Sequence, residues 1–423
     1  MYKHQASYTH IYKRIVVQLL LSVVLFANCE HVSVNPNSVD LQSTQEREQG
    51  KIIITDQQED IEVAQQAGSG FSNLPIELQA YILSFLDPKN FHRASLVCHV
   101  WRDAAFMAGE EKMLDLSKKK LDEKDCQVLL KVPFTWLILR ECQLGEQEIC
   151  ILSQSARIKH LNLFGNKIGN AGAQALASGN LLVLTSLNLS GNNIRAAGAQ
   201  ALANGNLAAL TSLGLWNNTI GAAGVQALAS GDLTALTSLD LQGNEIRDSG
   251  VQALARGNLV ALAYLNLGWN EIGTAGAQAL ANGNLVALTS LDLYNNNIGA
   301  AGVQALANGN LTALTYLDFS SNGIGDAEVQ SLANGNLTAL TYLDFSSNGI
   351  GDAAVQSLAN GNLTALTYLN LEWNKIGDAG AQALVSGNLA ALTSLHLKEN
   401  NIEKEGKKAL RAWATKKFIK LEL

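Results

Sequence analysis

"LTSLNLSGNNIRAAGAQALANGN" (Leu184–Asn206) and "LTSLGLWNNTIGAAGVQALASGD" (Leu210–Asp232) are two copies of one unit, 26 residues apart. The spacing persists. The second Leu of the run recurs at Leu161, Leu187, Leu213, Leu239, Leu265, Leu291, Leu317, Leu343, Leu369 and Leu395, and the register predicts Leu421. An Asn keeps the same period from Asn166 to Asn400, as does a later Leu from Leu176 through Leu384 to Leu410. In "LTSLDL" alternate Leu residues point one way, as a half-buried strand demands. The Asn turns inward at the strand end, where its amide can bond backbone groups left unpaired by a tight turn. "AGAQALA" reads as a short helix whose Ala, Val and Leu face the strand, and the Gly after it reads as a helix stop. Strands need about 4.8 Å of spacing and helices about 10 Å, so the stack must bend with a parallel sheet inside. About thirteen strands give an inner arc of roughly 60 Å.

The pattern L-x-x-L-x-L-x-x-N-x-I resembles the leucine-rich-repeat family over Glu111–Leu423. The resemblance implies an α/β solenoid, a horseshoe with the parallel β-sheet on its concave face. It would hold about ten repeats of 26 residues, preceded by two degenerate ones at "MLDLSKKKL" and "WLILRECQL". One such repeat cannot bury its own core, so the array needs neighbours and caps. The charged final stretch, "EKEGKKALRAWATKK", fits a polar C-terminal cap.

Framework positions barely change between copies, while the positions flanking the strand Leu pair vary widely. These flanking residues are expected on the concave face. Before the strand Leu come Tyr264, Tyr316, Tyr342 and Tyr368; between the pair come Asp240, Asp292, Asp318 and Asp344. Just past the pair come Phe164, Trp216 and Tyr294, and one place further Trp269 and Trp373. Exposed Trp and Tyr are typical interface anchors, so these are the candidate target-binding residues. The Asp ladder favours a partner with a basic patch. "NGNLTALTYLDFSSNGIGDA" occurs twice in succession, so Tyr316/Tyr342 and Asp318/Asp344 share one origin by duplication. The competing reading is that the aromatics only shield a flat sheet.

Outside the repeats the composition changes. Lys13 and Arg14 precede an apolar stretch from Ile15 to Ala27, too short for a membrane span and normal for a signal-peptide core. Cys29 follows in "LFANC". This resembles a bacterial lipoprotein signal and implies lipidation at Cys29, although Phe26 and Asn28 depart from the usual lipobox. Residues 1–29 are thus a signal peptide or an uncleaved hydrophobic anchor. Residues 30–70 are Gln-, Ser-, Asn- and acid-rich and read as a disordered linker.

Residues 71–110 form a third composition. In "LPIELQAYILSFLDPKNFHRASLVCHVW" Pro75 suits a first helical turn, and Leu78, Ile82 and Phe85 follow at helical spacing. Asp87-Pro88 starts a second helix and "SLVCHVWRDAAFMA" a third. Three helices in so few residues bury too little surface to be very stable alone. The run L-P, E-L, I-L-S-F-L, D, S-L-V-C, W-R resembles the F-box family closely. That resemblance implies docking on the Skp-type adaptor of a cullin–RING ubiquitin ligase. By position, Leu74, Pro75, Leu78, Ile82, Leu83, Leu96, Val97, Cys98 and Trp101 would form the adaptor contact and its supporting core. The alternative is a three-helix cap on the repeats.

A net charge of −7 argues against nucleic-acid binding. Five Cys without a C-x-x-C pair argue against a disulfide framework or a zinc site. The seven His show no metal spacing, and no G-x-S-x-G, P-loop or H-E-x-x-H occurs. No catalytic residue, metal or cofactor is therefore expected. The combined expectation is a ligase subunit that recognises a target protein. A bacterial export signal beside a eukaryotic docking module fits a protein exported from a bacterium into host cytoplasm. The alternative is an exported or lipid-anchored surface repeat protein at the bacterial membrane, with no ligase role.

Overall fold

A computed structural model describes residues 113–130 and 134–423. The N-terminal stretch, the linker and the expected helices of residues 71–110 lie outside these residues. Thirteen three-residue strands run from β1 (Met113–Asp115) to β13 (Lys420–Glu422) and form one parallel sheet in sequence order. The strand Leu of each repeat pairs with that of the next, as in Leu239↔Leu265 and Leu395↔Leu421. The position extrapolated from the period, Leu421, therefore lies in a strand paired in register with the one before it. Helices of seven to ten residues alternate with the strands, and a longer one at Lys404–Lys417 follows β12 (Ser394–His396). This is the α/β solenoid that the 26-residue period predicts.

The core is a column built from identical layers. Leu239, Leu241, Ile246, Val251, Leu254 and Leu259 are all fully buried within one repeat, and their counterparts are buried in the next. Each such aliphatic side chain is worth about 1.5–3 kcal/mol of burial. Phe319 and Phe345 replace Leu in adjacent repeats and stack within the core, with ring centroids 5.7 Å apart. A volume change in one layer is thus matched by the layer beside it. The last helix buries Leu410 and Ala414 and turns its many charges outward.

Polar groups lock the layers together. Asn270 is completely buried, and its Nδ2 donates to the carbonyls of Leu241, Leu267 and Gly268. Its Oδ1 accepts from the backbone of Asn244 and Ile246 in the preceding repeat. The Asn role expected from sequence is therefore met, and each amide ties two repeats. Some helix starts are capped by the repeat before: Asp352 Oδ1 accepts from the backbone of Gly377 and Gly380, whereas Gly325 N–H donates to Glu328 of its own helix. Among the described residues only the Thr135 hydroxyl is buried without a partner.

The Gly after each helix has a different cause from the one expected. Gly257 has φ −79° and ψ −172°, an extended conformation open to any residue, so it is no left-handed stop. A Cβ on it would lie 2.5 Å from the Ala229 carbonyl oxygen. The chain comes this close because the next amide, Asn258 N–H, donates to that same oxygen at 2.7 Å.

Candidate functional site: the strand face and its rim

Side chains at three positions per repeat populate the strand face. Between the Leu pair most repeats carry an Asp or Asn whose Oδ1 accepts the N–H two residues on, as in Asn188 to Ser190, Asp292 to Tyr294 and Asp318 to Ser320, while Gly214 and His396 stand there in two others. This side-chain turn ends the strand. Asn and Asp serve it equally, since only the Oδ1 atom is used.

Asp292, Asp318 and Asp344 occupy three successive strands in register. Asp344 Oδ2 accepts from the Asn370 amide, and none of the three pairs with a basic side chain among the described residues. The ladder is sunken: Asp344 is only 7% exposed, against the fully projecting row expected from sequence. Folding back onto the backbone N–H draws each carboxylate in. Burial, then repulsion from Asp344, pushes the Asp318 carboxyl up to about 7. Burial also raises Asp240 and Asp292.

Beside the acids the tyrosines form a stack. Tyr316, Tyr342 and Tyr368 have ring centroids 4.2 Å apart at each step, and His396 continues the row at 4.9 Å. Burial raises all three phenols above their ordinary range. Phe164 stacks on Trp216 at 5.8 Å, and Tyr294 meets Trp269 edge-on at 5.8 Å. Tyr264 and Trp216 are exposed. Every predicted aromatic from Phe164 to Trp373 is thus located, and most fall into three groups.

Trp269 and Trp373 sit in the turn that follows their strands and are 52% and 60% exposed. Their backbone is left-handed, with φ of 56° and 57°. Equivalent places in other repeats hold Gly191, Asn217, Gly243 and Asn295, residue types that tolerate positive φ, but also Ser321, Ser347 and Glu399 in the same conformation. Sequence reading found the two Trp residues but not their backbone state. The signal was there, since Gly and Asn recur at that place in other copies.

At the C-terminal end Glu372, His396 and Glu422 bring one ligand atom each within 4.8 Å of one another. Lys398 and Lys420 both bond Glu422, and those bonds hold its carboxyl down at about 2. The lysines supply the countercharge, so the residues present fit an ion-pair cluster rather than a metal site. Cys126 and Cys142 are buried and Cys150 is exposed. Burial pushes the Cys126 thiol up to about 12, which makes it unreactive. Leu74, Pro75, Leu78, Ile82, Leu83, Leu96, Val97, Cys98, Trp101 and Cys29 lie outside the described residues.

Residues 71–108 match the F-box-like family model, and nine stretches between 155 and 410 match the Leucine Rich repeat model. No curated protein matches the chain. An internalin from Listeria monocytogenes is similar in structure at 26% identity and TM-score 0.51, covering 73% of this chain and 86% of its own. The mouse RP105/MD-1 complex matches at 18% identity and TM-score 0.47, covering 75% of this chain and 57% of its own. The chain carries an F-box-like segment followed by a leucine-rich-repeat solenoid.

Proposed function

We propose that this chain is a substrate-recognition subunit of a cullin–RING ubiquitin ligase. The F-box-like segment docks the Skp-type adaptor, and the strand face of the solenoid holds a target protein. The observation that carries this reading is the F-box-like match at residues 71–108, directly ahead of a repeat array with exposed aromatics on its strand face and rim. The chain then needs no chemistry of its own. It acts by holding the target near the transfer site at high effective concentration. With the export-like N-terminus, the reading extends to a bacterial protein that works in host cytoplasm.

The test is co-purification of the full-length chain with a purified eukaryotic Skp-type adaptor, beside a Leu74→Ala/Pro75→Ala variant. Adaptor captured by the wild type and lost by the variant is the expected result. A folded wild type that captures none would overturn the ligase role.

The "LFANC" sequence at Leu25–Cys29 favours a second reading, a lipid-anchored surface protein that binds partners through its repeats. Expression in a bacterium with labelled fatty acid checks it. Label that depends on Cys29 supports the anchor, and a mature chain without label removes it.

A further inference from the structure

Two features of the strand face cost stability and are not required by the fold. The first is the charge of the Asp ladder. The strand-ending turn needs only an Oδ1 atom, and Asn188, Asn266 and Asn370 provide it without charge. Asp292, Asp318 and Asp344 instead place three carboxyl groups on successive strands, partly desolvated and without a basic partner among the described residues. Asp318 and Asp344 arose together, but Asp292 stands in a different repeat context, "LTSLDLYNNN". The second feature is the pair of exposed Trp side chains on left-handed backbone. The left-handed turn is common to the repeats and also holds Ser321, Ser347 and Glu399, so what is particular to these two positions is a large apolar side chain held in solvent.

The two features are arranged together. Trp269 lies one repeat before Asp292, and Trp373 one repeat after Asp344. The acids and the tyrosine stack therefore lie between the two tryptophans, which are four strands or about 19 Å apart. Charge is of one sign throughout: the strand-face positions from Ser186 to Glu372 include no Lys or Arg. A row of carboxylates suits a guanidinium or ammonium group, which the acids attract through charge, while the stacked phenols wall one side of the row with their edges and hydroxyl groups.

We propose that the strip from Trp269 to Trp373 seats a short, extended, cationic segment of a partner protein, its Arg or Lys side chains lying over Asp292, Asp318 and Asp344 against the Tyr316–Tyr342–Tyr368 stack. An extended chain spanning about 19 Å is about six residues long. The two tryptophans hold its ends by stacking on side chains there. The raised Asp318 carboxyl supports this arrangement, because a cation over the ladder removes the repulsion that helps to raise it. The inference rests on the reading of the strand face as the target-holding surface and names the class of target.

The probe is a fluorescent hexamer of arginine, titrated by anisotropy into the full-length chain. Its citrulline counterpart, which keeps length and hydrogen bonding but lacks charge, is titrated in parallel. The arginine peptide is expected to bind at least about 30-fold more tightly than the citrulline peptide. The Asp292→Asn/Asp318→Asn/Asp344→Asn variant keeps every Oδ1 contact and is expected to weaken binding about 30-fold. Trp269→Asn/Trp373→Asn is expected to weaken it about tenfold, and Asp232→Asn, an exposed acid off this strip, to leave it unchanged. Equal affinity of wild type and triple variant, equal affinity for the two peptides, or no binding by a wild type whose circular dichroism shows it folded would each overturn the proposal. Adaptor capture is read on the same preparations. Capture without peptide binding removes the cationic target and keeps the ligase reading; peptide binding without capture does the reverse.

Discussion

At the scale of single residues the molecule separates what the fold needs from what it tolerates. Asn270 is needed: five hydrogen bonds to two repeats converge on one fully buried amide. Asn270→Ala leaves several buried backbone groups unpaired, and we expect a loss of roughly 3 kcal/mol or more, read as a lower urea midpoint. Trp373 is tolerated. Replacing it with Asn, the residue found at the equivalent Asn217 and Asn295, relieves a left-handed bulky residue. We expect a gain of about 1 kcal/mol and a higher thermal midpoint. Asp318 is the third case. Its folded carboxyl titrates near 7 against an ordinary value of 3.8, so the folded state binds the extra proton between those values. That contribution to stability is complete below about pH 4 and lost as pH rises through 7. Asp292 and Asp344 face the same group and deepen the effect. Asp318→Asn is therefore expected to raise the thermal midpoint at pH 8, with the difference from wild type shrinking towards pH 4.

At the scale of elements, each repeat is finished by its neighbour. The helix at Asp378–Ser386 begins on Gly377, which has no side chain to cap it, and Asp352 of the preceding repeat supplies the acceptor. The end of the helix at Arg247–Arg256 is set in the same way, with Gly257 lying against the Ala229 carbonyl. A methyl group there would meet a backbone atom at 2.5 Å, which cannot move aside without shifting the preceding helix. Gly257→Ala is expected to lower the urea midpoint strongly, although Ala is the better helix former. The same substitution at Gly169 would meet nothing within 4 Å, and its cost would be limited to its positive φ of 60°. The contrast between these two variants separates close approach from backbone conformation as the reason for glycine at recurring places in this repeat.

At the scale of the whole solenoid, stability is a sum over interfaces closed by caps. The helix Lys404–Lys417 and strand Lys420–Glu422 cover the last repeat with buried Leu410, Ala414 and Ile419. A chain ending at Asn400 would expose the Leu395 and Leu397 layer, and we expect it to aggregate, seen as a high-mass fraction in light scattering. Charge is distributed at this scale too. The last helix carries six Lys and Arg residues, while the charged residues in the middle of the strand face are all acids. Binding at that face should therefore weaken with salt, as steering between opposite charges does.

What the sequence by itself determined is the part governed by period. Twenty-six-residue spacing of Leu, Asn and Ile is enough to set strand, turn and helix, their order, their register and even the last strand at Leu421, because each layer repeats the same local packing. The identity of the strand-face residues was equally legible, since they are the positions the framework leaves free. The tertiary structure decided what depends on the neighbouring layer. Whether an Asp projects or sinks, whether Tyr rings stack at 4.2 Å, and why a Gly must follow a helix all turn on atoms one repeat away in space and 24 to 29 residues away in sequence. Left-handed backbone at Trp269 and Trp373 belongs to the same class. A sequence shows which residue stands at a position, but the cost of standing there is set by the turn that the whole stack imposes.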